Sequence, residues 1–119
     1  MPNECRLWSG QLESANVHYK VPKIGDYEGR NVAVVGGGDS GLDAALMVLA
    51  RGGEVDLIVR AATARGKESS LNKIRDDGGR VHLSAEITAA RFAGDRIELT
   101  LGTGETLLCS LVIVQIGFL

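Results

Sequence analysis

The string Gly36-Gly-Gly-Asp-Ser-Gly41 constrains the fold of this chain more than any other feature. It follows Val32-Ala-Val-Val35, an unbroken apolar run of strand length. A run of that kind suits a strand covered on both faces, as in parallel sheets. After the glycines, Leu42, Ala45, Leu46 and Leu49 recur at three- and four-residue intervals, the spacing of one helix face. Asp39-Ser40 offers a side-chain N-cap for a helix running to about Arg51, and Gly52-Gly53 would end it. Val55-Asp-Leu-Ile-Val59 reads as a second strand. Strand, tight turn, helix, turn and strand make one βαβ unit, whose crossover should be right-handed.

Further along, the spacing predicts a helix over 67–77, closed by Gly78-Gly79, and a third strand over 80–85. The rhythm then changes. Segments 87–92, 96–101 and 105–108 are short and alternating, separated by Gly94-Asp95 and Gly102-Thr103-Gly104. Those are hairpin turn signals, so a three-stranded antiparallel meander is expected. Residues 111–116 form another buried apolar strand, and Gly117 follows. Before Asn31 the chain is less regular: 17–21 alternates as a short strand would, then Pro22, Gly25 and Gly29 punctuate a loop. The expected organisation is a lead-in strand and loop over 1–30 and one domain over 31–119. Its class is α/β, a Rossmann-like three-layer fold with a central parallel sheet and an antiparallel three-stranded β-meander.

Composition removes several function classes. At 119 residues the chain suits one hydrophobic core, and with 4% aromatics that core must be aliphatic. A net charge of −2 gives no electrostatic case for nucleic acid or an anionic membrane surface. The apolar runs are too short to span a membrane, and charges at Glu4 and Arg6 interrupt any signal-peptide core. Cys5 and Cys109 make neither CxxC nor a metal-ligand spacing, so both read as reduced thiols in a cytoplasmic protein.

Gly36-x-Gly38-x-x-Gly41, placed between a strand and a helix, points to a bound dinucleotide. Each glycine has its own reason. Gly36 lets the chain turn sharply off the strand. Gly38 leaves the backbone open to a pyrophosphate. Gly41 lets the helix pack close to the strands. The amides of 36–41, including Gly37, Asp39 and Ser40, would face the phosphates at the positive end of the helix dipole. An NAD-selective site usually ends its second strand in Asp or Glu. Here the strand ends in Val59-Arg60, and Arg65 follows. Guanidinium groups suit a 2′-phosphate, which favours NADPH; two solvated surface arginines are the plainer alternative. Asp43 either touches the ligand or only steadies the helix start through its dipole, and Asp39 serves as readily as a cap or turn residue. His18 and His82 have no partner at ligand or triad spacing and read as structural or surface residues, and Trp8 reads as a packing residue or an orphaned interface contact rather than a substrate platform. No nucleophile lies beside a base, so no catalytic residue and no metal ligand is assigned.

From Gly36 to Arg65 these residues resemble the NADPH domain of low-molecular-weight thioredoxin reductases, in the pyridine nucleotide-disulphide oxidoreductase superfamily. That family usually carries His-Arg-Arg and a further Arg after the second strand. The corresponding residues here are Val59, Arg60, Ala61 and Arg65, so two of the basic positions survive. Val17-His-Tyr-Lys-Val-Pro22 and Tyr27-Glu-Gly-Arg-Asn31 are more similar to the thioredoxin-reductase-like ferredoxin/flavodoxin–NADP reductases. Where thioredoxin reductases hold a redox CxxC, residues 19–22 contain no cysteine, so no local dithiol is expected. The resemblance implies that Asp43 approaches the nicotinamide carboxamide. It also implies that Cys109-Ser-Leu-Val-Ile-Val-Gln-Ile-Gly117 closes the NADPH domain, with Gly117 near the nicotinamide half. In such reductases an FAD domain flanks this segment on both sides. The chain is therefore expected to be an excised or truncated domain, without an FAD site and without turnover of its own. The parent enzyme would pass electrons to ferredoxin or flavodoxin. Apolar surface left by the missing FAD domain would favour a homodimer. A stand-alone NAD(P)-binding or sensing module without catalysis is the competing reading.

Overall fold

The computed structural model describes residues 17–18, 27–62, 68–94 and 96–115. Five strands form a parallel sheet: β1 (Val17–His18), β2 (Asn31–Val35), β3 (Glu54–Ile58), β4 (Arg80–His82) and β8 (Leu111–Val114). Their order is β1-β8-β2-β3-β4. Helix α1 (Asp39–Ala50) links β2 to β3, and α2 (Glu68–Asp76) lies between β3 and β4. Strands β5 (Ile87–Ala93), β6 (Arg96–Leu101) and β7 (Thr106–Cys109) make a separate antiparallel sheet in that order. This is the expected α/β architecture: helices, parallel sheet and meander in three layers.

Strand alternation divides the core in two. Val32, Val34, Val55, Leu57 and Ile113 meet the helices, together with Leu42 and Ile74. Ala33, Val35, Ile58, Val112 and Val114 meet Ile97, Leu99 and Leu101 of the meander. Covering on both faces explains why β2 and β8 contain no polar residue between Val32 and Val35 or between Leu111 and Val114. Tyr27 is fully buried on the helix side. Its N–H donates to the Arg51 carbonyl (2.8 Å), which ties the entry to β2 to the end of α1.

Some boundaries differ from expectation. The third strand was expected to reach residue 85, but β4 ends at His82, because the chain changes face at Ser84, where φ is 52°. The face of α1 turned inward is Gly41, Leu42, Ala44, Ala45 and Val48; Leu46 and Leu49 are only partly covered. Small residues dominate that face, so the helix lies closer to the sheet than a leucine stripe would allow. Asp39-Ser40 does not cap the helix. Gly38 occupies the N-cap position, with no side-chain cap hydrogen bond. Of the strand expected over 17–21, Val17–His18 is present, pairing with β8, and 19–21 lie outside the described residues.

Cys109 is buried at the end of β7, its Sγ 3.5 Å from the Ile97 carbonyl oxygen. Burial, reinforced by the negative charge of Asp56, pushes its thiol up to about 12. Since the thiolate is the reactive form, Cys109 should resist iodoacetamide at pH 8 in the folded protein. It should be alkylated once denaturant is added, as read by peptide mass mapping. Rapid labelling of native Cys109 would contradict this packing.

Candidate functional site

The glycine turn lies where β2 and β8 end side by side. Strand order reverses here: β3 and β4 extend from β2 in one direction, β8 and β1 in the other. Such a switch point at the carboxyl ends of parallel strands is where open α/β sheets bind ligands. The Gly36 N–H donates to the Ile58 carbonyl (3.0 Å), and the Gln115 N–H donates to the Val35 carbonyl (2.7 Å). The turn is thus held from both neighbouring strands.

The three glycines differ in what surrounds them. Gly36 has φ +134°, and a Cβ there would fall on the Gln115 carbonyl. A Cβ on Gly41 would fall on the carbonyl of Gly36 itself. These two positions are closed by backbone, which cannot move aside. Gly38 is the reverse: its backbone is extended (φ −84°, ψ 179°), and a Cβ there would meet nothing within 4 Å. Helix α1 starts from this open point, with the Leu42 N–H donating to the Gly38 carbonyl (3.0 Å). Amides that open an α-helix have no intrahelical acceptor, and with the helix dipole they favour an anion.

Arg60 is exposed and follows β3, two residues beyond Ile58. Because Val35 and Ile58 are partners in register, the fold brings Arg60 to the same end of the sheet as Gly36–Gly41. Gly37 is half-buried in the turn, while Asp39 and Ser40 are exposed in the first turn of α1, and Asp43 is exposed further along it. Arg65 and Gly117 lie outside the described residues.

A second polar group was not legible in the sequence. Asp56, in the middle of β3 and only 6% exposed, points to the meander side. It accepts from Arg80 Nε and Nη2 at 2.8 and 2.9 Å, and its Oδ1 lies 2.8 Å from His82 Nε2. Glu105 Oε1 lies 3.7 Å from His82 Nδ1. Thus His82 stands between two carboxylates, where the sequence had offered it no partner. The register signal was available: Asp56 pairs with Arg80 and Ile58 with His82 across adjacent parallel strands. Burial alone would push the Asp56 carboxyl up. The hydrogen bonds and positive charge of Arg80 and His82 outweigh it and hold the group below its ordinary 3.8. The cluster joins β3 to β4 and reaches the β6–β7 turn, so its chemistry is that of a clamp. Among the described residues, no group of three or more His, Cys, Asp or Glu is arranged to hold a metal ion. No helix among them is long and apolar enough to cross a membrane.

A parallel sheet sandwiched between helices and a meander, with an open glycine turn at its switch point, defines a Rossmann-like α/β protein. Residues 2–118 match the pyridine nucleotide-disulphide oxidoreductase family, and the chain belongs to it. Among relatives, it is 40% identical over 95 residues to a ferredoxin–NADP reductase of Symbiobacterium thermophilum, covering 80% of this chain and 27% of that protein. It is 36% identical over 106 residues to one of Lactococcus lactis subsp. cremoris, covering 87% and 32%. A ferredoxin reductase from Rhodopseudomonas palustris superposes with a TM-score of 0.64 at 32% identity, over 74% of this chain and 24% of that one. Putidaredoxin reductase, in its covalent complex with putidaredoxin, shares the fold with a TM-score of 0.77 at 21% identity, over 93% and 31%. The chain therefore spans about a third or less of the length of these proteins.

Two outcomes are expected for stability. Gly41→Ala should destabilise the fold by about 1–3 kcal/mol, the usual cost of forced overpacking. Gly38→Ala should leave stability unchanged or raise it slightly, since its backbone suits alanine. Urea denaturation of both variants checks the contrast. For Asp56→Asn at neutral pH, the expected loss is about 2 kcal/mol, reduced from the buried-pair range because Arg80 is half exposed. The folded Asp56 carboxyl is lower than the unfolded one, so its stabilisation is fully present above the unfolded value, near ~3.9. It fades as pH falls through the lower, folded value. Wild type should consequently lose its advantage over Asp56→Asn as acid is added below about pH 4.

Proposed function

We propose that this chain is the NADPH-binding domain of a flavin-dependent reductase of the ferredoxin–NADP reductase type, holding NADPH for hydride transfer to FAD on another domain. The observation that carries the reading is the open Gly38 amide between two closed glycines, at the head of a helix and at the sheet's switch point. The residues present fit a dinucleotide diphosphate: the space a Gly38 side chain would fill is left clear, and the surrounding amides of 36–41 suit an anion. When bound, the nicotinamide supplies the hydride.

The chain's own residues bind and orient. Gly36 and Gly41 set the depth of the cradle, and Gly37, Asp39 and Ser40 contribute their stretch of backbone to it. Arg60, with Arg65, pairs with the 2′-phosphate through charge-assisted hydrogen bonds. Asp43 is assigned to the carboxamide end, and Gly117 gives the nicotinamide half a close backbone neighbour. No proton is abstracted and no covalent bond is made by these side chains. The named ferredoxin–NADP reductases support a ferredoxin type of acceptor for the whole enzyme; flavodoxin as an alternative acceptor and FAD as its second cofactor rest on the family resemblance.

Titration of NADPH and NADH against wild type and Arg60→Ala tests the assignment. Wild type should bind NADPH more tightly, and Arg60→Ala should lose about tenfold in NADPH affinity, with NADH unchanged. Gly38→Ala should weaken both nucleotides without lowering the melting temperature. Equal binding of the two nucleotides by wild type would defeat the 2′-phosphate assignment. No binding of either would defeat the proposal.

A further inference from the structure

Ser84 is the one non-glycine residue at positive φ among the described residues. The left-handed region is disfavoured for residues with a side chain, so its neighbours must hold it there. Those neighbours lie on opposite sides of the sheet. Leu83 packs on the helix-side core with Val81, whereas Ala85 belongs to the meander-side core with Ile87. Residues two apart in a strand share a face, so the turn at Ser84 is what sends the chain from one face to the other.

The same turn reaches the end of β3. The Val59 N–H donates to the His82 carbonyl (2.8 Å). In a regular parallel ladder Ser84 would then return a bond to Val59. Instead Ala85 N–H donates to the Val59 carbonyl (3.0 Å), and Ser84 N–H reaches forward to the Ala61 carbonyl (2.9 Å). The residues before and after Arg60 are both tied to the segment that Ser84 bends. Without these bonds, residues 59–61 would be ordinary loop leaving a strand end, and ordering them would cost binding energy.

We infer that Ser84 is a positioning residue for recognition of the nucleotide 2′-phosphate: its left-handed backbone and the N–H it donates to Ala61 fix the main chain on both sides of Arg60. This rests on the dinucleotide reading above. The effect is confined to one end of the ligand, because the glycine turn is held by β3 and β8 through Ile58 and Gln115 and does not use Ser84.

The test is a graded series, Ser84→Asn, Ser84→Ala and Ser84→Val, in the 119-residue chain. Nucleotide affinity is read by titration with NADPH and NADH, and folding by thermal melting. Asparagine tolerates the left-handed region, whereas a β-branched side chain resists it strongly. The ratio of NADH to NADPH dissociation constants should hold in Ser84→Asn and fall about tenfold in Ser84→Val, with Ser84→Ala falling about threefold. NADH affinity should stay within about twofold across the series. A merely structural role would weaken both nucleotides together, in step with melting temperature, and that result overturns the inference. So does an unchanged ratio in Ser84→Ala, which decides the matter alone if Ser84→Val does not fold. A wild type that shows no preference for NADPH would instead sink the Arg60 assignment, and the inference with it. A wild-type preference that every variant keeps would sink the inference alone.

Discussion

Three pieces of backbone stack against one another at the mouth of the sheet: the carbonyl of Gln115, the turn at Gly36 and the start of α1 at Gly41. No side chain is interposed, and the two positions that would carry one are glycines. This contact sets the distance between helix and sheet. It also decides that α1 presents its first amides at the carboxyl ends of β2 and β8, and it leaves Gly38 facing outward. The small face of the helix, with Ala44, Ala45 and Val48 inward, follows from the same short distance. Packing density of this kind tolerates little change in volume, so the geometry of the cradle and the stability of the fold share one origin. They part only at Gly38, whose carbonyl starts the helix but whose missing side chain leaves open space that no packing contact needs.

The meander side is built differently. There the two sheets meet through aliphatic side chains, and a single carboxylate, Asp56, is placed among them with Arg80 and His82 as partners. Isolated, a charge at 6% exposure would be costly. Paired, it adds direction to an otherwise non-directional interface, joining strand to strand and reaching towards the turn that carries Glu105. The helix side relies on shape; the meander side adds one polar fastening.

Much of the fold was legible because strand and helix periods were clean. The run Val32–Val35, the glycines after it and the hairpin signals at Gly94 and Gly102–Gly104 specify layers and element order with little competition. The membership of the chain in its family was legible through the same stretch. What was not legible depends on register or on single backbone angles. Asp56 stands in a strand whose other buried residues are apolar, and only its alignment with Arg80 and His82 shows why a charge is tolerated there. Ser84 looks like one more strand residue between Leu83 and Ala85, since nothing in its identity announces a change of face. The missing side-chain cap at Asp39-Ser40 has a related cause: the N-cap falls one step earlier, at Gly38, and that position offers no side chain to bond with.

The sheet order carries a consequence for assembly. Strand β8, drawn from the latter end of the described chain, lies between β1 and β2. Strand β1 therefore finds its neighbour only after the meander has been traversed, and the wall against which Gly36 rests is supplied by Gln115, 79 residues later. Contacts of such separation are entropically expensive to form early and slow the approach to the native state. The β2–α1–β3 unit can order from nearby contacts as it leaves the ribosome. Its turn acquires a rigid floor only when the closing strand slots in, which makes the finished glycine turn a late event in the life of the chain.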